Sequence, residues 1–215
     1  MARYPQAGHV KSRLAASVGA ETAARIYRAF LSDLGARLGA DARWVLHWAY
    51  DPPSSRFVDD VAGAAEAFPQ VSGDLGERMA DAIRRLLGEG YRRVVLIGSD
   101  VPHLSPAAVA RAFHHLAEGA ELVLGPVEDG GYCLIGAVSV PPVFEDVSWG
   151  RSDVLAETLL RAARFGIVPR TIESTYDVDD FEGLARLSED IRSGRVEGLT
   201  ATRKALEELP AVRYG

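Results

Sequence analysis

Apolar positions along this chain switch repeatedly between two periods. Over 21–38, Ala23, Ile26, Tyr27, Phe30, Leu31, Leu34 and Leu38 recur at helical spacing, and Gly39 follows as a stop. Asp74 and Glu77 are spaced as a capping box ahead of a helix reaching Leu87. Ser105 and Pro106 suit the N-cap and first turn of a helix running to about Glu118. Ser152 predicts the cap of a helix to about Phe165, and two more helices are predicted over 180–192 and 197–208. Between the helices stand short runs of β formers at 44–50, 68–72, 92–98, 121–127, 131–138 and 167–172. Residues 52–67 read as a Pro-Pro-Ser-Ser turn and a short helical piece. Val94 to Ile97 is an unbroken branched run, the pattern of a central parallel strand covered on both faces. This alternation predicts an α/β fold with a mainly parallel sheet and right-handed crossovers. No repeat, low-complexity tract or linker interrupts it, so a single domain over 1–215 is expected.

The front of the chain breaks the pattern. Only Met1 to Tyr4 precede Pro5, fewer than the usual ~5–6 residues of a strand. The expectation is a first strand missing before Pro5, explained by a start codon placed too far downstream.

Composition narrows the classes. The apolar fraction of 47% suffices for a full core. A net charge of −6 argues against a nucleic-acid-binding face, while leaving a local anion pocket open. Lys11 and Lys204 are the only lysines among 24 basic residues, so Lys11 stands against a strong arginine bias. Cys133 is the single cysteine, which excludes an internal disulfide and suits a reducing cytoplasm. No run approaches the ~20 apolar residues of a membrane span, and the N-terminus lacks the apolar core of a signal peptide.

Several segments carry chemistry, each with a plainer structural alternative. In Pro5-Gln6-Ala7-Gly8-His9-Val10-Lys11-Ser12-Arg13-Leu14, a glycine turn precedes two cations. In an extended loop Lys11 and Arg13 point the same way and can grip a polyphosphate; otherwise they are a solvated loop before a helix. Gly73-Asp74-Leu75-Gly76-Glu77 lets backbone approach a base or phosphate at a helix start, or is simply a capped helix. Asp100, at the end of the 92–98 strand after Gly98 and Ser99, is a candidate metal ligand or an Asx-turn acceptor ahead of Pro102. Glu128-Asp129-Gly130-Gly131-Tyr132 makes a hairpin-like crossing whose bare backbone faces a ligand, or an Asp-Gly turn. Trp149 lines a pocket or packs under the following helix. Asp177 and Asp179 share a face if extended and, beside Asp100, suit Mg²⁺ or Mn²⁺; Asp179 with Glu182 also fits a capping box.

In order, Gly-x-Val-Lys-Ser-Arg-Leu, Gly-Asp-Leu-Gly-Glu-Arg-Met, Gly-Ser-Asp-x-Pro, Glu-Asp-Gly-Gly-Tyr and Asp-Val-Asp resemble the bacterial DUF2064 proteins. These GT-A-type, glycosyltransferase-like proteins are also called selenodomain-associated transferase 1. They are similar in turn to the phospholactate, phosphoenolpyruvate and molybdenum-cofactor guanylyltransferases. The resemblance spans residue 2 to about 190. It implies a three-layer nucleotide-diphosphosugar transferase fold of the GT-A, Rossmann-like type. The metal site implied for Mg²⁺ or Mn²⁺ is Asp100 with Asp177 and Asp179. Lys11 and Arg13, with Gly8, match the phosphate loop. Gly73, Gly76 and Glu77 match the segment near the base, with Ser99 beside the nucleotide. Glu128, Asp129, Gly130, Gly131 and Tyr132 would face the acceptor with Trp149, and Asp129 joins Asp100, Lys11 and Arg13 as a candidate catalytic group. The usual Asp-x-Asp-Thr-Pro is altered here, Asp180-Phe181 replacing Thr-Pro.

The expected activity is metal-dependent transfer from a nucleotide-activated donor to a small acceptor, with glycosyl transfer from a nucleotide sugar foremost. Nucleotidyl transfer from a nucleoside triphosphate, releasing pyrophosphate, uses the same parts. A non-catalytic nucleotide-binding module is the alternative of another class. A phosphatase-like hydrolase lacks the strand-end aspartate pair it would need near the front.

Overall fold

Ala2–Arg3 forms a two-residue strand, β1, in the computed structural model, which describes residues 1–145 and 147–209. It pairs in parallel with β2 (His47–Asp51), Ala2 opposite Tyr50 and Arg3 opposite Asp51, and Tyr4 N donates to Asp51 O at 2.9 Å. A first strand therefore does stand before Pro5, against the expectation from length. Two residues suffice because Ala2 and Tyr4 are themselves buried and the ladder continues one bond past the strand.

Contacts divide the chain into two compact units, each assembled from separated stretches. Of the described residues, the second unit takes 2–68, 99–103 and 178–209; the first takes Met1, 69–98 and 104–177.

In the second unit the sheet order is β1-β2-β3, with β3 at Glu66–Pro69. Helix α1 (Ser12–Val18) ends at Gly19, and α2 (Ala20–Gly39) follows at once. Ile26, Tyr27, Phe30, Leu31, Leu34 and Leu38 are all buried along α2, so the helical stripe read from the sequence is the face that builds this core. The predicted strand at 44–50 begins only at His47. Trp44 instead donates its indole N–H to Leu38 O at 2.8 Å, closing the turn after α2. Residues 52–67 hold a one-turn helix α3 (Ser55–Phe57) and a π-helical turn at Val58–Ala62. Phe57 is stacked on Tyr50 at 4.9 Å between centroids. Two late helices, α7 (Phe181–Arg192) and α8 (Thr200–Glu207), complete the unit.

The first unit holds α4 (Leu75–Gly88), β4 (Val94–Ile97), α5 (Pro106–Ala117), β5 (Leu122–Pro126), β6 (Tyr132–Ala137), α6 (Val154–Arg164) and β7 (Arg170–Thr171). Its strand order is β4-β6-β5-β7. β6 runs antiparallel to both β4 and β5, and β5 is parallel to β7, so β4, β5 and β7 share one direction. The reversal follows from local sequence. β5 and β6 are joined by five residues rich in glycine, too few for a crossover helix and enough for a hairpin. Val94 and Leu96 of β4 are buried, whereas Val95 and Ile97 are half-buried. Asp74 and Glu77 make both bonds of the predicted capping box on α4, and Ser105 Oγ accepts from Ala108 N at the start of α5. Ser152 does not cap α6: Asp153 stands there, its side chain bonded to Arg151 and making no cap bond, and Gly130 O takes up the N–H of Leu155. Among the described residues no helix is long and apolar enough to cross a membrane.

Candidate functional site

Lys11 is where the second unit concentrates charge. It is the one non-glycine with positive φ among the described residues, at φ 51° and ψ 49°. A left-handed conformation costs an L-residue about 1 kcal/mol, and such outliers point to sites that the surrounding fold over-determines. Lys11 occupies the N-cap of α1 with its side chain only 2% exposed. Its ammonium donates to Val178 O at 2.7 Å, forms an ion pair with Asp100, and lies 3.6 Å from Asp179 Oδ1. The rings of Tyr27 and Phe30, both on α2, lie 5.7 and 5.8 Å away from it, within cation–π range.

The extended loop expected around Lys11 and Arg13 is instead a helix start. Both cations nevertheless converge on one carboxylate. Arg13 Nη1, on an exposed side chain, lies 3.4 Å from Asp179 Oδ2. The side chains of Asp100 and Asp179 are 48% and 38% exposed, so both carboxylates remain open to solvent. Backbone bonds fix them: Val178 N donates to Asp100 O at 2.8 Å, and Leu14 N to Asp179 O at 3.2 Å. Asp179 is not the helix cap that its spacing from Glu182 allowed. Asp180 caps α7, accepting from Gly183 N at 2.9 Å. The replacement of Thr-Pro by Asp-Phe thus supplies its own cap and leaves Asp179 to the cations.

Ser99 lies beneath this cluster. Its buried Oγ shares a 2.6 Å hydrogen bond with Tyr27 OH, which also accepts from Arg3 N at 3.0 Å. Burial, and then the Asp100 carboxylate, push the Tyr27 phenol up from its ordinary range, so the hydroxyl keeps its proton. Tyr27 reads in the sequence as one more apolar position of α2. Its only signal was a hydroxyl among the apolar positions from Ala23 to Leu38. Gly8 sits at the exposed tip of the turn before α1 with φ +77°.

The remaining candidates lie in the first unit. Gly73 has φ +124° and stands so close to Glu77 that a Cβ would fall 2.1 Å from its carboxylate. Glu77 in turn accepts from Asp74 N at 2.8 Å, so its carboxylate is committed to the cap. A Cβ on Gly76 would meet Phe144 O and Trp149 Cζ2, each at 2.7 Å. Trp149 therefore packs on the start of α4, and its buried indole N–H has no acceptor among the described residues. Asp129 accepts from Gly131 N at 2.8 Å in an Asx turn, and Glu128 N donates to Thr175 O at 3.0 Å. Tyr132 and Cys133 open β6; burial pushes both up to about 12. The charges of Asp177 and Asp129 add to the Cys133 shift. Asp177 closes the first unit.

Of the sequence-derived metal ligands, the second unit brings Asp100 and Asp179 together around an ammonium. Among the described residues no group of three or more His, Cys, Asp or Glu side chains stands together as a metal site. The donor chemistry still suits a hard divalent ion, because both groups are solvent-open carboxylates.

Helices alternating with a sheet that carries one reversed strand, and a carboxylate just past the end of β4, define a mixed α/β fold of the nucleotide-diphospho-sugar transferase type. A solved structure from Desulfovibrio desulfuricans G20, provisionally assigned as a nucleotide-diphospho-sugar transferase, is 32% identical. The match covers 96% of this chain and 91% of that one, with a TM-score of 0.86. The DUF2064 family, described as "Uncharacterized protein conserved in bacteria", matches residues 33–151, and the chain belongs to it. More distant folds include Rv0371c from Mycobacterium tuberculosis H37Rv, 19% identical with a TM-score of 0.51 over 87% of this chain and 95% of that one. Its homologue from mycobacterium sp. strain JC1 is 18% identical with a TM-score of 0.50, covering 74% and 80%. A comparison with curated proteins gave no match.

Proposed function

We propose that this protein is a metal-dependent transferase that moves a sugar from a nucleotide sugar to a small acceptor. The observation that carries the reading is the side-by-side placement of Asp100 and Asp179 on Lys11, with both carboxylates open to solvent. The name carried by the Desulfovibrio structure, at 32% identity over nearly the whole chain, supports a nucleotide-diphospho-sugar donor.

In this reading the two carboxylates that the second unit brings together, Asp100 and Asp179, would hold Mg²⁺ or Mn²⁺. The ion would supply charge neutralisation at donor phosphate oxygens. Arg13 and Lys11 bring further positive charge to the same place, which lowers the cost of gathering phosphates against two carboxylates. Tyr27 and Ser99, hydrogen-bonded at 2.6 Å, would anchor the chain just before Asp100. Gly8, at the exposed turn just before Lys11 and Arg13, is the proposed nucleotide segment of this unit. Catalysis of this kind is mostly positioning and electrostatics.

The test is a panel of nucleotide sugars and nucleoside triphosphates, each with and without Mn²⁺, read for sugar consumption and for pyrophosphate. Mn²⁺-dependent consumption of a nucleotide sugar, lost in Asp100→Asn with the fold intact by circular dichroism, is the expected result. Pyrophosphate release from a triphosphate would replace glycosyl by nucleotidyl transfer. Nucleotide binding without turnover of any compound would make the protein a binding module.

A further inference from the structure

Lys11 and Arg13 are read together as one phosphate grip, but their surroundings differ in kind. An ammonium has three N–H donors. That of Lys11 donates to Val178 O, forms an ion pair with Asp100 and lies at the longer ion-pair distance of 3.6 Å from Asp179. Its side chain is 2% exposed, and the faces of Tyr27 and Phe30 flank it. At 2% exposure the ammonium is enclosed by the protein's own oxygens and rings and offers no open face to a ligand oxygen. Arg13 is 72% exposed and meets Asp179 through one guanidinium nitrogen, which leaves the rest of its five-donor fork for a ligand.

The carboxylates tell the same story from the other side. Asp179 meets Lys11 through Oδ1 and Arg13 through Oδ2, and Asp100 meets Lys11 through Oδ1. A divalent ion drawn to this pair finds oxygens already turned toward an internal cation.

We propose that Lys11 is a built-in counter-cation of the Asp100–Asp179 pair, competing with a divalent ion for these oxygens, and that Arg13 is the cation that meets an anionic ligand. Lys11 is then a positioning residue. It holds two chain segments together and sets how strongly the pair attracts a metal. The inference rests on the reading of this cluster as the ion- and phosphate-binding end of a transferase site.

Two measurements on the full chain, without nucleotide, separate the roles. Free Mn²⁺ is followed by electron paramagnetic resonance in wild type and in Lys11→Met. Removing a unit positive charge a few ångströms from the pair should tighten Mn²⁺ binding by about tenfold or more. Inorganic pyrophosphate without metal is followed by calorimetry. Arg13→Met should weaken it by roughly fivefold or more, and Lys11→Met by clearly less, because Lys11 contributes long-range charge without a contact to the anion. Unchanged or weaker Mn²⁺ binding in Lys11→Met, or pyrophosphate loss equal to that of Arg13→Met, overturns the proposal.

The two lysines provide a readout independent of any ligand and of whether Lys11→Met folds. Under limiting acetic anhydride, Lys11 should acetylate at least about tenfold more slowly than exposed Lys204, and faster in Asp100→Asn than in wild type. Lys11 reacting as fast as Lys204 in wild type overturns the counter-cation. If wild type binds neither Mn²⁺ nor pyrophosphate while Lys11 stays protected, the transferase reading fails and the internal ion pair stands.

Discussion

Gly130 and Ser152 approach so closely that a Cβ on Gly130 would lie 1.8 Å from the carbonyl oxygen of Ser152. The turn between β5 and β6 thereby touches the segment entering α6, and Gly130 O accepts from Leu155 N at 3.0 Å. Gly130 also has φ +90°. Gly130→Ala meets a backbone clash and an unfavourable dihedral together. The expected cost is about 3 kcal/mol or more, read as a lowered urea midpoint with an unchanged slope. A loss under about 1 kcal/mol would mean the turn shifts freely.

Asp33 lies on the apolar face of α2 and is 3% exposed. Its carboxylate accepts from Ala201 N at 2.9 Å and Thr202 N at 2.7 Å. Helix α8 has no cap of its own, since Leu199 stands at its N-cap, so Asp33 serves as one from another helix. Asp33→Ala should cost about 2 kcal/mol by leaving two amides unpaired. Hydrogen exchange should quicken most in 199–207.

His103 is held neutral by burial, which lowers its pKa to about 4; Asp190 opposes the shift, and Arg37 and Arg186 reinforce it. The unfolded chain takes up this proton near the ordinary value of about 6.5. Stability from the buried neutral ring is therefore complete above pH ~6.5 and is lost as the pH falls toward ~4. The loss is on the order of 3 kcal/mol across that window. Urea midpoints at pH 7 and 4.5 should differ more in wild type than in His103→Gln, and equal pH dependence would remove the assignment.

Cys133 has its thiol pushed up to about 12 by burial and by the nearby charges of Asp177 and Asp129. At pH 8 only about one molecule in 10⁴ carries the thiolate. Native protein should resist iodoacetamide for hours and react within minutes in denaturant, making this single cysteine a reporter of unfolding. Rapid alkylation of the native protein would contradict the burial.

The local elements were legible in the chain because their causes are local. The stripe from Ala23 to Leu38, the Asp74–Glu77 box and Ser105–Pro106 each specify a helix from neighbours a few residues apart, and α2, α4 and α5 lie where these signals stand. The glycine-rich link between β5 and β6 was readable as a hairpin for the same reason. Short strands were less so. β1 and β7 have two residues each and exist only because a neighbouring strand offers a ladder.

Amino-acid order alone determined the α/β class, most helix limits and which carboxylates and cations were available. Tertiary structure decided how they are used. It turned Lys11 inward, set Asp33 to cap a helix 168 residues away and enlisted Tyr27 beneath Ser99. The physical reason is that an ion pair or a buried hydrogen bond takes its strength from distance and desolvation. Those belong to residues brought together in space, and spacing along the chain does not encode them.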